Sequence, residues 1–295
     1  SGMQTWLKLL ANPLTLLFPY DWPLTPYRRF VDLSLWLDEQ IRVVIARKRQ
    51  QGAEDSGDVL SMLLHAADDA GDRLSEDELI GHANVLFVAG HETSSNALTW
   101  TLFLLAQHPE VMTAVYEELT DTLHGEAPTI VQLEELNLLD RVIKESMRIL
   151  PPVPASGRLV VQDTELGGYP IERGHEVLFS HYHTHHDPQI YEVPERFDPD
   201  RWLTITPTAH EYMPFSAGRR MCIGSAFAQM EIKIVLAMVL QRYRLQLQPQ
   251  LKVDPLAGIT MGPQNGLPMI VRPQDQRFAE NRTAVRGKIL ACVEM

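Results

Sequence analysis

The chain has 295 residues, 45% hydrophobic and 22% charged, proportions that suit a soluble globular protein of one large domain or two average ones. Its net charge of −12 argues against nucleic acid as a partner, because binding phosphate needs the opposite sign. Two cysteines, Cys222 and Cys292, make no disulfide framework and suit a reducing, cytoplasmic setting. The apolar start from Trp6 to Leu14 is broken by Lys8, Asn12 and Pro13. It falls short of the ~20 residues a span requires, so no transmembrane anchor is read.

Pro19 to Pro26 is rich in turn residues. Phe30, Leu33, Leu37, Ile41, Val44 and Ile45 then recur at helical spacing, and Arg47-Lys48-Arg49 suits a helix C-terminus. Gly52 to Gly57 reads as a polar loop, Asp58 to Ala67 as a short helix and Asp68 to Arg73 as a charged turn. Ser75-Glu76-Asp77-Glu78 is a capping box, with Leu74 and Leu79 placed as a hydrophobic staple. The helix it opens runs to about Gln107, where His108-Pro109 stops it, a rod of roughly 48 Å at 1.5 Å per residue. It is apolar on nearly every side from Val85 to Leu105, which predicts a central buried helix. Ala89-Gly90-His91-Glu92-Thr93-Ser94 breaks that rule. Gly90 costs a helix interior about 1 kcal/mol relative to Ala. Glu92 is an acid among apolar neighbours, and Thr93 can bond a carbonyl one turn back. Taken alone, the stretch has the pattern of a surface stripe on an amphipathic helix.

Pro109 opens a helix ending at Gly125, Thr129 to Leu136 is a short one, and Asp140 to Leu150 another, closed by Pro151-Pro152. In the last, Glu145 and Arg148 lie at i, i+3; a solvated pair of this kind is worth under about 1 kcal/mol. Gly157 to Val161, Thr164 to Leu166 and Glu176 to Ser180 read as short strands, with turns at Gly167-Gly168 and Arg173-Gly174. His181, His183, His185 and His186 look like a metal cluster, and strand alternation would put the first three on one face. Gln246 to Val271 reads as paired strands around a loop at Gly258 to Gly266, and Arg272 to Met295 as a polar tail with an inert Cys292.

Most of the chemistry is in Phe215-Ser216-Ala217-Gly218-Arg219-Arg220-Met221-Cys222-Ile223-Gly224. Cys222 has no partner at the spacings a zinc site needs. Gly218 and Gly224 let the backbone turn with positive φ and approach a flat ligand, and Arg220 adds positive charge. The apolar run from Ala226 to Leu240, as a helix, places Cys222 at its N-terminal end, where free N–H groups favour a thiolate. A thiolate held by backbone donors is a haem-iron ligand; a buried structural cysteine is the plainer alternative.

The pattern Phe-x-x-Gly-x-Arg-x-Cys-x-Gly resembles the cysteine-ligand loop of the haem-thiolate monooxygenases, the cytochrome P-450 family. Five fixed positions at roughly 5% each match by chance in about one chain of this length in ten thousand. Beside that loop, Ala89 to Ser94 resembles the family's oxygen-activating groove over the haem. The resemblance implies that Glu92 and Thr93 deliver protons and that Ala89 and Gly90 line an apolar substrate pocket. Glu145-x-x-Arg148 resembles the buried pair that fixes the haem-binding core. For its third member, Pro194-Glu195-Arg196-Phe197 spells the literal pattern, while Pro199-Asp200-Arg201-Trp202 falls where the segment usually lies; Arg201 is taken. Arg158 resembles the haem-propionate arginine, and His186-Asp187-Pro188 matches a structural turn that competes with the metal reading.

The resemblance covers Asp58 to Val271 and implies a fold that is mainly α with a small β region. Residues 1–271 would be the carboxy-terminal part of a haem-thiolate monooxygenase domain and 272–295 a polar tail. With the family's preceding helices and sheet missing, apolar helix faces should be left uncovered. The implied function is insertion of one oxygen atom of O₂ into an apolar substrate. Haem b (iron protoporphyrin IX) would be ligated by Cys222, flanked by Phe215, Gly218 and Gly224, and paired through its propionates with Arg158 and Arg220. Electrons would come from a ferredoxin- or flavodoxin-like donor docking beside Arg219 and Lys233. The alternatives are a truncated haem-binding fragment without a closed pocket, and a helical interaction protein in which Cys222 is only buried.

Overall fold

The computed structural model describes residues 2–10, 12–50 and 57–294, and the chain divides into two compact units, residues 1–91 and 92–295. The first unit holds α1 (Gly2–Leu10), α2 (Pro13–Leu17), α3 (Pro26–Gln50), α4 (Val59–His65) and the opening turns of α5 (Glu76–Gln107). Trp6 of α1 stacks on Phe30 of α3 with ring centroids 5.4 Å apart and donates its indole N–H to Ser34 Oγ at 2.8 Å. Asp58 caps α4 by accepting the Ser61 N–H at 2.9 Å. The predicted capping box opens α5: Glu78 accepts the Ser75 N–H at 2.9 Å and Ser75 Oγ accepts the Glu78 N–H at 3.3 Å. Ile45, Leu79 and Ile80 are buried here, with Ile41, Leu60, Leu63 and Leu74 packed against them, so the staple leucines share one cluster. The polar loop expected at 52–57 lies, apart from Gly57, outside the described residues. No helix among the described residues is long and apolar enough to cross a membrane.

α5 ends where His108-Pro109 predicts, but its burial changes along its length. Val85, Leu86 and Phe87 are exposed, whereas Ala97, Trp100, Phe103, Leu104 and Leu105 are buried. Its second half is the central buried helix; its first half carries uncovered apolar surface. The buried part packs in the second unit with α6 (Pro109–Leu123), α7 (Ile130–Glu135) and α8 (Asn137–Ile149). α6 closes with His124 and Gly125 at φ of 52° and 87°, the left-handed end that glycine favours. α8 starts before the expected Asp140, because Glu118 of α6 accepts the free N–H groups of Leu138 and Leu139 at 2.7 and 2.9 Å.

Two antiparallel ladders follow: β1 (Ala155–Leu159) with β4 (Glu176–Ser180), and between them the hairpin of β2 (Thr164–Leu166) and β3 (Tyr169–Ile171). Register places Arg158 opposite Val177. The histidine run is not strand but a short helix, α9 (His181–His185), started by Ser180 Oγ accepting the His183 N–H at 3.1 Å. Helical spacing buries His181 and His185 on one face and turns His183 outward. No group of His, Cys, Asp or Glu among the described residues is arranged to hold a metal ion, these histidines included, which leaves the competing structural turn as the better of the two readings.

α10 (Ser225–Arg242) leads into β5 (Tyr243–Leu247), the hairpin β6 (Pro255–Ala257) and β7 (Met261–Pro263), and β8 (Met269–Pro273), which returns antiparallel to β5. Trp100 of α5 is fully buried and donates its indole N–H to the Met261 carbonyl at 3.0 Å, tying the long helix to β7. Residues 272–294 are more than a polar tail. Phe278, Ile289 and Val293 join the core of the second unit, and Asp275, Glu280 and Asn281 hold the buried Arg244. Their apolar positions follow no period, and their backbone makes isolated pairings such as Val253 N–H on the Arg286 carbonyl at 2.8 Å. A pattern search has nothing there to detect.

Candidate functional site

The Cys222 loop is closed by its own backbone. Cys222 donates its N–H to the Phe215 carbonyl at 2.9 Å, and Ser216 to the Met213 carbonyl at 3.0 Å. A single turn at Gly218–Arg220 separates them, with Ser216 and Gly218 at φ of 61° and 70°. The expectation of positive φ therefore holds for Gly218 and fails for Gly224, whose φ is −85°. At Gly224 a Cβ would meet only Cys222 Sγ, at 3.8 Å. Among the described residues no backbone or packing demand fixes a glycine there, and its missing side chain leaves space beside the sulfur. α10 begins immediately after, with the Ala228 N–H on the Gly224 carbonyl at 2.8 Å, so Cys222 stands at its N-terminal end as predicted.

Phe215 is half-buried and packs on the core, while Cys222 is exposed. Its neighbours Met221, Ile223 and Phe227 are exposed too, Ile223 at 94%. Arg219 and Arg220 are exposed beside it and form no ion pair among the described residues. Arg158, on β1, is exposed, and its side chain bonds, among the described residues, its neighbour's carbonyl, that of Gly157, at 2.8 Å. These residues fit a haem: an exposed thiol, exposed apolar surface beside it, and cations that no carboxylate among the described residues pairs. Lys233 does not belong with them. It is 15% exposed and bonds Asp140 at 3.0 Å and the Leu133 carbonyl at 3.1 Å, which takes it from the expected donor-docking surface.

Glu145 and Arg148 are fully buried, not a solvated surface pair. Arg148 Nε and Nη2 donate to the two Glu145 carboxylate oxygens at 3.0 and 2.9 Å. Arg201 Nε donates to Glu145 Oε1 at 2.9 Å, and Trp202 Nε1 to Oε2 at 3.0 Å. The remaining guanidinium protons go to carbonyls: Arg148 to His185 and Pro194, Arg201 to Glu192 and Arg196. Arg196, the competitor for the third position, lends only its carbonyl; its side chain lies in solvent, 3.5 Å from Glu294. Trp202 is a member the sequence reading missed, although it follows Arg201 directly.

On α5, Ala89 and Gly90 are exposed and Glu92 and Thr93 half-buried. Ala89 and Gly90 fall in the first unit, Glu92 and Thr93 in the second, with the loop and Glu145 residues. A Cβ at Gly90 would meet nothing within 4 Å, so no packing demand among the described residues explains the glycine.

The family model described as Cytochrome P450 matches residues 3–268. The chain is 36% identical over 252 residues to cyclooctatin synthase of Streptomyces melanosporofaciens, covering 83% of this chain and 55% of that protein. It is also 36% identical over 256 residues to the same organism's cyclooctat-9-en-7-ol 5-monooxygenase, covering 85% and 55%. Pentalenene oxygenase of Streptomyces avermitilis is 34% identical over 229 residues, covering 77% and 51%. Among solved structures, a retinoic acid-bound cyanobacterial CYP120A1 superposes with a TM-score of 0.82 at 28% identity, over 92% of this chain and 62% of that one. The cytochrome P450DA heme domain gives the same score at 29% identity, over 95% and 62%. The chain thus belongs to the cytochrome P450 family, and it spans about half the length of the curated relatives it matches.

Proposed function

We propose that the chain serves a haem-thiolate monooxygenase that places one oxygen atom of O₂ on an apolar organic substrate. The observation that carries this reading is Cys222, exposed in a self-closed loop at the start of α10 and ringed by uncovered apolar side chains. Haem b, when bound, supplies oxygen activation and atom transfer.

Cys222 provides the sulfur ligand at the start of α10. Gly218 gives the loop its turn, Gly224 leaves room beside the sulfur, and Phe215 keeps water from the loop's inner side. Arg158 and Arg220 neutralise the two propionates by charge-assisted bonds. Thr93 Oγ1 holds a water, and the Glu92 carboxylate passes protons to it from solvent. Ala89 and Gly90 present a surface without polar atoms to the substrate. Two relatives are named for pentalenene and cyclooctat-9-en-7-ol, which supports a substrate of mostly hydrocarbon character. A ferredoxin- or flavodoxin-like donor approaches the exposed Arg219, and two unpaired cysteines suit a cytoplasmic setting.

A second reading is haem binding without turnover, which the exposure of Ile223 beside Cys222 favours, since it is open to water. Absorption of the reduced, CO-treated protein tests both. A red-shifted thiolate band in the parent, absent in Cys222→Ser, is expected of either. An unchanged band in that variant removes Cys222 as the ligand. Product formation in the parent then separates the two readings.

A further inference from the structure

His185 ends α9 with its ring wholly buried. Its carbonyl accepts from Arg148 Nη1 at 2.7 Å, which anchors its backbone to the Glu145 pair. Its ring Nε2 accepts the Met213 N–H at 3.0 Å. Met213 in turn accepts the Ser216 N–H, and Phe215, two residues beyond Met213, accepts that of Cys222. An unbroken series of contacts therefore runs from the Glu145 carboxylate to the backbone of Cys222.

A ring nitrogen that accepts an N–H is unprotonated, so the imidazole is neutral with its proton on Nδ1. Burial, and after it the Arg148 charge, push the His185 pKa down to about 3, which holds this form throughout neutral pH. The Nδ1–H itself meets no acceptor among the described residues. An apolar side chain of similar size would avoid that penalty, so packing alone does not account for a histidine here. What the ring adds is the bond to Met213. The loop it holds has Ser216 in the left-handed region, a conformation a serine keeps only when its surroundings enforce it.

We propose that His185 is the positioning residue of the Cys222 loop, fixing Met213, at the entry to the loop, to the Glu145–Arg148 pair so that the sulfur is placed before any ligand arrives. Its purpose rests on the reading of Cys222 as the haem ligand; its geometry does not.

Amide hydrogen exchange in the haem-free chain tests the proposal. The proteins compared are the parent, His185→Leu, His185→Gln and His181→Leu. His181 is the control, a buried ring on the same helix that bonds Ser156 and Val153 and not the loop. In His185→Leu the Ser216 and Cys222 amides should exchange about tenfold faster. His185→Gln should restore most of the protection, because a carboxamide oxygen can accept the Met213 N–H. His181→Leu should lower the melting temperature and leave the loop amides unchanged. Equal acceleration in the two leucine variants, or no rescue by glutamine, overturns the proposal. If His185→Leu does not fold, the parent decides: a Met213 amide as protected as that of Cys222 supports it, and one exchanging like an unbonded surface amide overturns it. The CO spectrum of Cys222→Ser tests the ligand reading separately, so the two failures are told apart.

Discussion

Around Glu145 nearly every polar atom is answered from within the chain, and around Cys222 very few are. The carboxylate takes two guanidinium groups and an indole, and those guanidinium groups spend their other protons on carbonyls. Cys222, by contrast, has a closed backbone but an open side chain, flanked by bare apolar groups and unpaired arginines. Both regions lie in the second unit, so the difference is not one of general order. It separates a part finished by folding from a part that folding leaves ready for something else. Substitutions should accordingly cost stability at the first and binding at the second.

The sharpest break is Glu145→Ala. It leaves Arg148 and Arg201 buried without their counter-ion, at a cost of about 3–5 kcal/mol, which thermal or urea unfolding will show. A variant that melts like the parent would place these charges in solvent. Next comes Trp202→Phe, which keeps a smaller aromatic ring, trims the packing against Tyr212 and removes one bond to a charged acceptor. A loss of about 1.5–3 kcal/mol is expected in the same unfolding measurement.

Acid should reach the finished region through His185. Above about pH 6.5 its ring is neutral in both folded and unfolded chains. Below that the unfolded chain takes up a proton that the native ring, with its pKa near 3, refuses. Stability is therefore lost as pH falls from about 6.5 toward 3, by roughly 2 kcal/mol at pH 5 from this group alone. His108 and His186, whose pKa values burial also lowers, act in the same direction. An unfolding free energy flat between pH 7 and pH 5 would contradict this. The smallest effect on stability should come from Ile223→Ser at the open region: within about 0.5 kcal/mol on unfolding, with haem retention weakened.

Local chemistry made part of this legible before any coordinates. The Ser75 cap, the stop at His108-Pro109 and the start at Pro109 each act within one turn, and all of them appear in the fold. Glu145 and Arg148 could be paired by spacing, and Cys222 placed at a helix start, for the same reason. What escaped depends on partners far along the chain. Glu118 opens α8 early, Phe278, Ile289 and Val293 fill a core built from other elements, and Trp202 reaches across to a carboxylate on another helix. The histidines misled because alternation and helical spacing both fit so short a run, and Ser180 decided between them. Gly224 misled because a missing side chain was read as a backbone need when it leaves space.

The burial of Trp100 also gives the protein an optical signature. Its indole sits out of water, while Trp22 and Trp36 of the first unit are 67% and 52% exposed. Emission should therefore be a composite, with a short-wavelength component from Trp100 that acrylamide barely reaches and a long-wavelength one that acrylamide quenches readily. On unfolding the Trp100 component shifts furthest to the red, while the half-buried Trp6 of the first unit and Trp202 of the second shift less. The blue-edge, acrylamide-shielded emission thus reports mainly on the second unit.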